Sequence, residues 1–190
     1  MVKPVRWHLL PLDRTTAGGV PTRSESDPPV DPRIPPWGTR ENERLEFKAA
    51  EVLRSPAGRR KLMEEVVGML NARGGRILVG VREQDSIAAA LDPIPEHERN
   101  QYDHSMRDLL ADLIEPRVSD QDCRVQWLHA LDGYVLELNV RLLGTDRRPF
   151  CRMSGKDRRY MLRVGDRLRP MKYGELREAF ARDEDETRKP

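Results

Sequence analysis

Apolar positions change period several times between residue 40 and the C-terminus, and each change marks an element. Leu45 and Phe47 alternate with polar neighbours, which predicts a short strand over 43–48. Ser55 followed by Pro56 reads as a helix start. A side-chain oxygen can accept from an N–H of the first turn, and proline has no N–H to leave unsatisfied there. Leu62, Met63, Val66, Val67 and Leu70 then recur at helical spacing. Asn71 closes this helix, and Gly74-Gly75 can supply positive φ beyond it. Residues 77–81 form a continuous apolar run broken only by Gly80, the pattern of a strand covered on both faces, and 82–86 read as a polar turn.

A second amphipathic helix is expected from about 95 to 114. Its stripe is Tyr102, Met106, Leu109, Leu110 and Leu113, and Pro116 ends it. Cys123, Val125 and Trp127 alternate, Asp132-Gly133 makes a turn, and Tyr134, Leu136, Leu138 and Val140 alternate again, as in a hairpin. A second hairpin joins 149–153 to 159–164 through Ser154-Gly155-Lys156-Asp157. A last helix over 171–180 packs through Leu176 and Phe180. The order β-α-β-α-β-β-β-β-α predicts an α+β domain, a mixed β-sheet with flanking helices.

Residues 1–39 break this patterning. The first forty residues hold eight of the fifteen prolines, with Gly18-Gly19 and several Ser and Thr. Such a segment propagates neither helix nor ladder, so 1–39 read as an extended or disordered arm. Trp7, Ile34 and Trp37 are its candidate anchors, on a protein partner or on the chain's own domain. The folded domain is expected over 40–180, with 181–190 a charged, frayed tail.

Charge distribution is more informative than composition. The formal net charge is only +2. Between residues 141 and 172, however, eleven Arg and Lys face three Asp, a local +8 that leaves −6 for the remainder. Such asymmetry is the footprint of a polyanion partner; the alternative is an Arg-rich hairpin that pairs with acids elsewhere in the chain. Arg147, Arg148, Arg152, Lys156, Arg158, Arg159, Arg163, Arg167 and Arg169 are the candidate phosphate contacts, and Tyr160 a candidate base-stacking ring. Cys123 and Cys151 are too few for a zinc or disulfide framework, and His8, His97, His104 and His129 lack ligand spacing. With no signal peptide or membrane-length apolar run, a cytoplasmic protein with no membrane partner is expected.

Two further groups carry candidate chemistry. Glu41 and Glu46 flank the first strand, and Glu83 or Asp85 follows the buried one. Carboxylates converging at strand ends could hold Mg²⁺ or Mn²⁺, provided the chain bends at Asn42, and Lys48 could neutralise a phosphate. The alternative is a solvated acidic surface. The Asn71-Ala72-Arg73-Gly74-Gly75 turn brings backbone close to either a neighbouring strand or a phosphate. It is not a P-loop, because no Gly-Lys-Ser/Thr follows, so no ATP site is expected from it.

Taken together, Glu41…Leu45-Glu46-Phe47-Lys48, Asn71-x-x-Gly74-Gly75, Ile77…Gly80-Val81 and Tyr160-x-x-Arg163-x-Gly165 resemble the Schlafen AlbA-like domain family over about 40–180. The resemblance implies a nucleic-acid-binding α+β fold. In Schlafen proteins, paired domains of this type cleave structured RNA, notably tRNA, with three acids and a divalent metal. By this resemblance the metal ligands and catalytic acids would be Glu41, Glu46 and Glu83, with Lys48 beside them. Arg82 stands where the family often has a first Asp. A homodimer would supply the second half of the pair. Many bacterial members are instead treated as DNA-binding regulatory modules, so the alternative for this chain is a non-catalytic DNA- or RNA-binding regulatory module or a subunit of a larger assembly.

Overall fold

The computed structural model describes residues 30–187, and the side chains of residues 30–181. The candidate anchor Trp7, most of the predicted arm and the last three residues lie outside that range.

Among the described residues the central sheet has five strands. Strand β1 (Leu45–Lys48) lies parallel to β2 (Gly75–Val79), with Glu46 opposite Ile77. Helix α1 (Pro56–Asn71) makes the crossover between them, and a 3-10 turn at Ala50–Leu53 leads into it. Ser55 Oγ accepts from Gly58 N at 2.9 Å, so the helix is capped as the sequence predicts. The hairpin of β7 (Cys123–Ala130) and β8 (Gly133–Val140) completes the sheet. β8 pairs along one edge with β7 and along the other with β2 and the short β5 (Ile94–Pro95). All pairs but β1–β2 are antiparallel, which makes the sheet mixed and the fold α+β.

Both faces of the sheet are covered. On one side Leu62, Met63, Val66, Val67 and Leu70 of α1, with Met106 and Leu110 of α2 (Glu96–Leu113), pack on Ile77, Val79, Leu136 and Leu138. On the other, Phe47, Leu78, Leu128 and Val135 meet Ile34 and Val81. Ile77, Leu78 and Val79 are all fully buried, as the unbroken apolar run requires. Ile34 therefore anchors on the chain's own domain, whereas Trp37 stays 48% exposed. Asp31 N donates to His129 O at 2.8 Å and Gly38 N to Ala88 O at 3.1 Å, which hold this segment along the sheet.

Three stretches differ from the sequence expectation. Residues 82–86 are not simply a polar turn: β3 (Val81–Gln84) and β4 (Ile87–Leu91) form a hairpin around Asp85 and Ser86, both at positive φ. Residues 159–164 are not one strand either. The chain breaks at Tyr160, so β9 (Cys151–Ser154) pairs with β10 (Asp157–Arg159) and with β6 (Ile114–Glu115). β11 (Met161–Val164) turns instead at Gly165-Asp166 onto β12 (Arg167–Pro170). The third difference is at the end, where α3 (Tyr173–Thr187) continues the last helix into the predicted tail. Among the described residues no helix is long and apolar enough to cross a membrane.

A buried acid–base cluster and a basic double hairpin

As the outermost strand among the described residues, β1 leaves one row of backbone groups without a strand partner there. Side chains cap that row. Asn42 Oδ1 accepts from Arg44 N at 2.9 Å and Asn42 N donates to Leu45 O at 3.1 Å, a tight turn at the residue where a bend was required. The bend carries Glu41 back over the strand, where its Oε1 accepts from Phe47 N at 2.7 Å. Arg163, reaching in from β11 with its side chain fully buried, donates from Nη2 to Asn42 O (2.9 Å) and Leu45 O (3.1 Å).

Glu46 points from β1 toward α1 into the same space. Lys48 Nζ pairs with its Oε1, and Arg163 Nη2 lies 2.6 Å from its Oε2. Because the Arg163 N–H groups are aimed at the two carbonyls, Oε2 has a counter-charge but no aligned donor. Glu65 of α1 completes the cluster, 3.3 Å from Arg163 Nη1 and 3.7 Å from Lys48 Nζ.

The electrostatics follow from burial. Glu65 is pushed up to about 7 by desolvation and by the charge of Glu46, which together outweigh Lys48 and Arg163. Glu41 is also raised, first by burial and then by Glu46 and Glu83, against the pull of the Phe47 amide. Burial opposes the charge on Lys48, yet Glu46 and Glu65 hold its ammonium above the usual range. Three acids face two cations here, and a proton on Glu65 balances the charge below about pH 7.

Of the three acids expected to bind metal, Glu41 and Glu46 are brought together. Glu83, on β3, is near enough to act on the Glu41 carboxyl, but its Oε2 accepts from Ser86 N at 2.8 Å. Arg82 pairs instead with Asp92 at 3.4 Å. No group of three His, Cys, Asp or Glu among the described residues is placed to hold a metal ion. In this arrangement Lys48 and Arg163 supply the positive charge beside Glu46.

The predicted phosphate contacts divide into two groups. Arg152 is buried on Glu64, with Nε 2.9 Å from Oε1. Arg147 grips Asp122 with two nitrogens at 2.7 and 3.1 Å. Arg148 donates to Leu143 O, Arg169 pairs with Glu175, and Arg163 is in the cluster just described. Lys156 and Arg167 are exposed and make no ion pair among the described residues. Arg158 and Arg159 are more than half exposed, each with one acid, Glu115 at 3.0 Å and Glu64 at 3.4 Å. Of the predicted phosphate contacts, those left exposed therefore lie on the β9–β10 hairpin and at the start of β12.

Glu64, Glu65 and Asp122 were not singled out from the sequence. For Glu65 a signal exists: it lies three residues after Leu62 and four before Met69, inside the buried stripe of α1. The glycine pair takes the backbone-packing alternative. A Cβ on Gly75 would stand 2.6 Å from Arg44 O, and one on Gly74 2.6 Å from Val140 O.

The fold and its motifs define an α+β domain with a capped edge strand and a basic double hairpin. The family described as Schlafen, AlbA_2 matches residues 41–172, and the chain belongs to that family. Membership associates the domain with nucleic acid. Among solved structures, the chain is similar to the DIP2311 protein from Corynebacterium diphtheriae at 20% identity and a TM-score of 0.47, covering 74% of this chain and 28% of that one. It is also similar to the N-terminal domain of a RecG-related protein from Nitrosomonas europaea at 17% identity and a TM-score of 0.47, covering 66% of this chain and 80% of that one. The chain thus corresponds to little more than a quarter of the first of these proteins. No curated protein matches it.

Proposed function

We propose that this domain binds nucleic acid through backbone phosphates, held by Lys156, Arg158, Arg159 and Arg167, and that the Glu41–Glu46–Glu65 cluster is a structural centre without metal-dependent chemistry. The observation that carries the binding reading is the exposure of these four cations on two successive hairpins. Cations in water beside a polyanion release its counterions, which gives salt-sensitive and largely sequence-neutral affinity.

Cleavage of structured RNA such as tRNA is the competing reading, with family membership behind it. It needs Glu46 freed from Lys48 and Arg163, and in a paired arrangement a second copy of the chain. Incubating the protein with labelled tRNA, single-stranded DNA and duplex DNA, with Mn²⁺ or with EDTA, separates the two. Salt-sensitive binding without cutting is expected. Mn²⁺-dependent cutting of RNA that disappears in Glu46→Gln would replace this proposal with the nuclease reading, and absence of binding to every probe would end it.

A further inference from the structure

An open cleft of about 380 Å³ adjoins the basic hairpin, within the range of small-ligand sites, roughly 300–1,000 Å³. It lies where the turn before β9, strand β10 and helix α3 face one another, and Arg148, Arg158, Tyr160 and Phe180 line it.

Its cation is unusual. Arg148 is half-buried, and one nitrogen, Nη2, donates to Leu143 O at 2.9 Å. Its Nε is buried with no hydrogen-bond partner, and no carboxylate pairs with the residue among those described. Burial alone pulls its guanidinium below the usual range. An uncompensated half-buried charge is costly, and an anion in the cleft would relieve it. The adjacent Arg147 offers nothing comparable, since Asp122 holds it.

The opposite wall is aromatic. Tyr160 and Phe180 stand edge to face, 5.8 Å between centroids at 80°, and Phe180 is 46% exposed. A large ring left open beside an unpaired cation suits a ligand that is planar at one end and anionic at the other. The lining also contains Asp146 and Glu115, the latter paired with Arg158. A single phosphate therefore matches the charge of the cleft better than a polyphosphate does.

We infer that this cleft receives one unstacked nucleotide of a single strand, with its phosphate on Arg148 and its base against Tyr160 and Phe180. The inference deepens the nucleic-acid reading and rests on it, since Arg158 belongs to both the hairpin and the cleft. It assigns the ligand class as strands with a free base, in preference to continuous duplex.

The test titrates the full chain with a short labelled single strand and with the matching duplex. Phe180 is exposed, so its replacement leaves the core intact. Phe180→Ala should weaken single-strand binding about tenfold, the loss of one stacked base, and leave duplex binding unchanged; Phe180→Trp should restore it. Arg148→Gln should weaken the single strand selectively in the same way. If neither cleft variant changes single-strand affinity while Arg159→Ala and Arg167→Ala weaken both probes, the hairpin reading stands and the cleft is overturned. If the hairpin variants have no effect while Phe180→Ala does, the cleft stands and the hairpin reading falls. Equal loss on single strand and duplex in Phe180→Ala overturns the preference for an unstacked base.

Discussion

Glu65 sits among charges that almost cancel, so its proton has consequences for stability. Its folded pKa of about 7 lies above the ordinary 4.5. The folded state then holds the proton more tightly than the unfolded chain does. That advantage is complete below about pH 4.5, is lost as pH rises to about 7, and amounts to about 3 kcal/mol at most. Thermal melts should show Tm falling across this window. Glu65→Gln should flatten the fall and melt higher than the parent protein above pH 7; an unchanged slope would place the titration on another group. Removing the opposite charge has the reverse effect. Arg163→Met leaves Glu46 buried with Lys48 alone and removes the guanidinium from Asn42 O and Leu45 O, which keep only their mutual backbone bonds. It should cost about 3–5 kcal/mol in chemical denaturation.

At the level of elements, α1 is tied to the strands beside it by one polar side chain. Asn71 Nδ2 donates to Phe150 O and to Met161 O at 2.8 Å, and its Oδ1 accepts from Phe150 N at 2.7 Å. Asn71→Ala orphans three buried backbone groups and should lower unfolding free energy by at least about 2 kcal/mol. Asn71 is legible as a helix end, but its partners lie 79 and 90 residues away and leave no local trace. The two hairpins missed in the sequence have a related cause. Arg82, Glu83 and Gln84 are all exposed, so β3 lacks the alternation that marks a half-buried strand, and only Val81 touches the core. In β11 the alternation is real but short: Met161 and Arg163 point inward, and the second is a cation that no hydrophobic pattern would count.

Across the whole molecule, the basic excess of residues 141–172 serves two ends. Arg147, Arg152, Arg163 and Arg169 hold the fold together through acids on other elements. Lys156, Arg158, Arg159 and Arg167 face solvent. The division predicts different behaviour for two changes of the same kind. Arg167→Ala should leave Tm unchanged and reduce the slope of log affinity against log salt by about 0.7 for a single strand, one phosphate contact. Arg152→Ala should lower Tm, because Glu64 keeps a half-buried charge with only the exposed Arg159 beside it, and should leave the slope as it was. Equal slopes for all three proteins would mean that the exposed cations do not meet phosphates.

What is encoded within a few neighbouring residues is legible in the chain alone: the Ser55-Pro56 cap, the stripe of α1, the buried run of β2 and the β7–β8 hairpin. Each is a matter of period or of turn chemistry, so each survives without knowledge of the rest of the chain. The ordered family motifs were legible for the same reason. Tertiary structure alone decided what the charged residues do. Arg163 meets Glu65 across 98 positions of chain, and Arg152 meets Glu64 across 88. A charge carries no periodicity that reveals its partner. Only the packing of β9 and β11 on α1 separates the arginines that complete the fold from those left to bind a ligand.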